Sequence, residues 1–94
     1  MKIKIEHLNY TILVKEPDKN DKFHAYVVKD SDDQCTMYIH RPIKLVDTTT
    51  LAHETLHCLQ FMSEVKGIDM VAEKEHMGYL LQHIMNKVLG LEYQ

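Results

Sequence analysis

Three residues near the middle of the chain have types and spacing that could do chemistry: His53, Glu54 and His57, in the stretch TTTLAHETLHCLQF. Residues four apart on a helix share one face, so His53 and His57 can present imidazole nitrogens to a single point. Zinc accepts that geometry at about 2.0–2.1 Å per nitrogen and, in a catalytic site, keeps one position open for water. Glu54 is too far round the helix to ligate comfortably but is well placed beside that water. A metal lowers the pKa of the water it holds, and Glu54 can then take the proton as general base. The competing reading of the same residues is a solvated helix face that carries two surface histidines.

Two histidines do not hold catalytic zinc without a third protein ligand. The later stretch EKEHMGYLLQHIM offers Glu73, Glu75, His76 and His83. On a helical wheel Glu73 points into the apolar arc of Met77 and Ile84, whereas Glu75 points beside Gly78 and Gln82. Gly78 has no side chain and so lets two helices approach, with Glu75 one turn earlier on that flank. A Glu73 buried and neutralised by the metal satisfies the wheel equally, so both carboxylates stay open. Tyr79 follows Glu75 by one turn. It could hydrogen-bond the oxyanion formed when water attacks a carbonyl, or serve as a core tyrosine. His40, His76 and His83 read as exposed or outer-sphere residues, and Cys58 reads as a core thiol.

These residues need elements to position them. Ile3 and Ile5 alternate with lysines, and Tyr10, Ile12 and Val14 keep the two-residue period of a half-buried strand. EPDKNDK interrupts that period with turn formers, FHAYVV resumes it, KDSDDQ breaks it again and CTMYIH follows, ended by Pro42. An antiparallel meander of three strands, or four if residues 2–14 divide near His7, is expected over about residues 2–41. From Asp47 the period becomes helical. Asp47 or Thr48 caps a helix over about 48–66, with apolar Leu51, Leu56, Leu59, Phe61, Met62 and Val65 and with Gly67 as its stop. A second helix is expected over about 69–89, closed by Gly90. The class is therefore α+β, a short sheet followed by two packed helices in a single domain spanning 1–94.

At 94 residues and a net charge of −3, the chain supports one modest core, and its scattered basic residues give no nucleic-acid-binding face. No apolar run approaches membrane-spanning length, and MKIKIEHLNY is unlike a secretory signal. Two cysteines are too few for a disulfide framework, so reduced thiols in a cytoplasmic protein are expected.

Taken together, TLAHETLHCLQFM and EKEHMGYLLQHIM resemble the small phage- and prophage-encoded zinc metallopeptidases, over about residues 36–89. Those proteins pair H-E-x-x-H with a later E-x-x-A-Y-L. The match here is Glu75-His76-Met77-Gly78-Tyr79-Leu80, with Gly78 where alanine is usual. The resemblance implies a minimal zincin-like site of the gluzincin type. His53, His57 and Glu75 would ligate Zn2+, Glu54 would act as base, and a peptide or protein in the host-cell interior would be the substrate. In larger zinc peptidases of similar motif an edge strand pairs with the substrate backbone, and CTMYIH occupies that place in the sequence. The alternative is a non-catalytic zinc-binding accessory or regulatory module with a vestigial site.

Overall fold

Alternating apolar residues build β1 (Lys2–Ile5) and β2 (Tyr10–Lys15), joined by a 3-10 turn over Glu6–Leu8. Asn9 closes that turn with a φ of 49°, in the left-handed region that asparagine tolerates. The computed structural model describes residues 1–18 and 25–91. Part of EPDKNDK, together with Phe23 and His24 at the start of FHAYVV, lies outside the described residues. A second hairpin follows, β3 (Ala25–Ser31) and β4 (Gln34–Ile39), turning through Asp32 and Asp33.

The four strands make one sheet in the order β1-β2-β4-β3. This corrects the expected meander: β4 runs parallel to β2, with Ile12 opposite Cys35 and Val14 opposite Met37. β1 and β3 are the edges, each antiparallel to its neighbour. Burial gives the reason. β4 buries Cys35, Thr36, Met37 and Ile39 and so favours the centre. β3 ends in exposed Lys29, Asp30 and Ser31, and charge on an edge strand opposes unwanted pairing. CTMYIH is therefore an interior strand, and the edge nearest the helix pair in sequence is β3.

The first helix, α1 (Thr48–Lys66), has the expected bounds. Thr48 Oγ1 donates to the Leu45 carbonyl at 2.7 Å, and Asp47 makes no side-chain cap bond. Gly67 stops the helix in the left-handed conformation with φ 67°, its N–H donating to the Ser63 carbonyl. The second helix, α2 (Lys74–Leu89), starts later than expected. Asp69 Oδ1 accepts the amides of Val71 and Ala72 and so holds a turn ahead of the helix.

Leu51, Cys58, Leu59 and Met62 of α1, with Met77, Leu80, Ile84 and Val88 of α2, pack into one core with Ile3, Ile5, Ile12, Val14 and Met37. Leu56, expected in that stripe, is 44% exposed. Lys66 Nζ pairs with Asp33 Oδ1 at 2.6 Å, fixing the far end of α1 over the β3–β4 turn. Ser63 Oγ donates to Met77 Sδ at 3.5 Å, so the start of α2 lies against the last turns of α1. Among the described residues no helix is long and apolar enough to cross a membrane.

Candidate metal centre

His53 and His57 occupy the second and third turns of α1, which the Leu51, Cys58 and Leu59 side chains anchor in the core. Four residues of helix bring their Nε2 atoms to 3.0 Å, with the rings nearly perpendicular at 79°. Two nitrogens bound tetrahedrally to one zinc sit roughly 3.3 Å apart, so a small rotation of either ring admits the ion. His57 Nδ1 lies 3.0 Å from Gln60 Oε1 and donates to it. That bond leaves His57 Nε2 as a lone pair, the form a metal requires.

Glu54 is 6% exposed, and its Oε1 stands 3.8 Å from His53 Nε2. Its Oε2 is buried and has no hydrogen-bond partner. A buried carboxylate oxygen without a partner is costly, and such atoms in native proteins usually face water, an ion or a substrate. One ligand atom from each of His53, Glu54 and His57 falls within 4.8 Å of the others. Two imidazole nitrogens converging on one point fit zinc, and the Glu54 carboxylate stands beside them.

The remaining expected residues stand elsewhere. Glu75 is exposed on the first turn of α2 and is outside the His53/Glu54/His57 group. Glu73 faces His76, its Oε1 3.4 Å from Nδ1. Gly78 is exposed, and a Cβ built there meets nothing within 4 Å, so it does not mark a close approach of the helices. Tyr79 is 69% exposed and lines a groove with His7, His76 and His83. His40 donates from Nδ1 to Glu16 Oε2 at 3.1 Å and shares a hollow of about 150 Å³ with Ile39, Asp47 and Thr50.

Cys58 follows His57 but belongs to the core, fully buried. The Cys35 sulfur beside it, and then burial, push its thiol well above the ordinary range. It is a protonated packing group rather than a thiolate ligand. Cys35 is lowered by the Cys58 thiol, and Tyr10 is raised by burial and then by Cys35.

Comparison with family models, curated proteins and solved structures finds no match to this chain. The functional reading therefore rests on the residues and their geometry. Sequence reasoning missed Gln60 and His7. Gln60 is one turn after His57, a spacing that signals a partner for the ring; His7 carries no signal in sequence, because its partner is 69 residues away.

Proposed function

We propose that the chain is a zinc-dependent hydrolase of the metallopeptidase type, with Glu54 as its general base. The observation that carries this reading is the buried, unpartnered Glu54 Oε2 beside two imidazole nitrogens converging on one point. His53 and His57 would hold the ion, and Glu75 is the third protein ligand that the resemblance implies. When bound, zinc supplies a Lewis acid that polarises a carbonyl and makes water more acidic.

The chain's own residues do the rest. Gln60 holds the His57 ring in one tautomer. Glu54 accepts a proton from the attacking water at its free oxygen and returns it to the leaving amine, the two duties of a single acid–base group. Burial keeps that carboxylate from being solvated and so available for the transfer. A substrate entering by strand addition would pair with β3, the edge next to β4, rather than with CTMYIH. Tyr79 serves as oxyanion donor only if α2 presents it to the substrate. The substrate class that fits is an extended peptide in the cytoplasm.

A non-catalytic zinc module is the second reading, favoured by the 66% exposure of the His53 side chain. Glu54→Gln separates the two. Wild type and variant should bind zinc with similar affinity, and only the wild type should cleave a mixture of unstructured peptides assayed by mass spectrometry. Cleavage by both, with zinc bound in both, overturns the mechanism. Zinc binding without cleavage by either supports the non-catalytic module.

A further inference from the structure

A second histidine pair stands apart from the H-E-x-x-H helix. His7 is exposed in the 3-10 turn between β1 and β2, and His76 is half-buried on α2. Their Nε2 atoms lie 2.8 Å apart across 69 residues of chain. The ring planes are tilted by 40° with centroids at 5.1 Å, so the nitrogens converge edge to edge rather than stacking. This is the convergence seen at His53 and His57, produced here by tertiary structure instead of helical spacing.

A second observation points the same way. His76 Nδ1 lies 3.4 Å from Glu73 Oε1. With its Nδ1–H directed at that carboxylate, His76 carries its lone pair on Nε2, toward His7. Metal-bound histidines are held by this arrangement, in which an outer carboxylate fixes the tautomer and raises the basicity of the ligating nitrogen. The pair opens on a groove of about 360 Å³ shared with Tyr79 and His83, which leaves room for water to complete a coordination shell.

We propose that His7 and His76 form a second site for a divalent first-row cation, with Glu73 positioning His76. Imidazole suits zinc, copper and nickel, and two protein ligands leave an open, exchangeable site. An ion there ties the β1–β2 turn to α2.

The test is a titration with Zn2+ of the full chain and its variants. It uses a His53→Ala/His57→Ala background, so its outcome is independent of the reading of the first site. That background should still bind zinc. Adding His7→Ala or His76→Ala should abolish the remaining binding, and Glu73→Gln should weaken it about tenfold, as loss of an outer-sphere partner does. His83→Ala should leave it unchanged. In the otherwise wild-type chain, zinc should shift the imidazole 15N resonances of His7 and His76, which covers the case of a background that folds poorly. The proposal is overturned if the background binds no zinc and the His7 and His76 resonances stay fixed, or if binding survives His7→Ala and His76→Ala. Loss on His83→Ala with His7→Ala neutral overturns it as well.

Discussion

Glu54→Gln is expected to make the metal-free protein more stable while it removes the proposed base. Glu54 Oε2 is buried without a partner, and the nearest imidazole nitrogen is 3.8 Å from the other oxygen. An uncompensated buried charge costs about 3–5 kcal/mol, and an unsatisfied buried amide about 1–3 kcal/mol. The difference is about 2 kcal/mol. At this domain size each 1 kcal/mol moves the thermal midpoint by about 4–8 °C, so a rise of about 8–16 °C is expected. Glutamine keeps the volume of glutamate, so packing contributes little. The assay is thermal unfolding, followed by circular dichroism, of chelator-treated wild type and variant. Saturating zinc should narrow the gap, since the wild-type carboxylate then faces a cation. Most substitutions destabilise, so a rise in midpoint is a discriminating result. A lower midpoint for metal-free Glu54→Gln would falsify the reasoning, because it means that the carboxylate has a stabilising partner in the fold.

The remaining predictions concern the ion and the core. Zinc at about 100 times its Kd should stabilise the wild type by about 2.7 kcal/mol, an increase of roughly 10–20 °C in midpoint; an unchanged midpoint rules out a native-state site. Gln60→Ala should weaken zinc binding at the first site about tenfold, since His57 loses the acceptor that sets its tautomer, and unchanged affinity in a competition assay counts against that role. Glu75→Gln should weaken the same site more strongly if Glu75 is its third ligand, and unaltered affinity removes it from the ligand set. Stability should also fall as pH rises. Cys58 and Tyr10 stay protonated in the fold above the ordinary values of 9.0 and 10.0, whereas the unfolded chain releases both protons. The unfolded state then binds fewer protons, so each group removes about 1.4 kcal/mol per pH unit above its ordinary value. Cys35, lowered in the fold by the Cys58 thiol, acts with the opposite sign below its ordinary value and offsets part of the fall there. Denaturant titrations between about pH 8 and 11 check this, and a flat profile contradicts it.

Local features were legible in the sequence because short-range geometry sets them. The bounds of α1, its stop at Gly67 and the shared face of His53 and His57 all follow from helical period and capping within a few residues. The same holds for the strands, whose two-residue alternation marks Ile3, Ile5, Tyr10, Ile12 and Val14 as core. Alternation does not say which strand lies beside which. Parallel pairing of β2 with β4 places the strand with the most buried residues in the interior, a property of the whole sheet. The start of α2 escaped the periodicity because the Asp69 side chain competes for the amides that would otherwise begin the helix. Glu73 and Glu75 could not be separated on a wheel, since a wheel shows angle but not what stands opposite. Glu73 pairs with His76 three residues on, a local contact, and the fold leaves Glu75 in solvent. His7 is the clearest case: nothing near it in sequence marks it, and only the fold, by seating the β1–β2 turn beside α2, brings its nitrogen to that of His76.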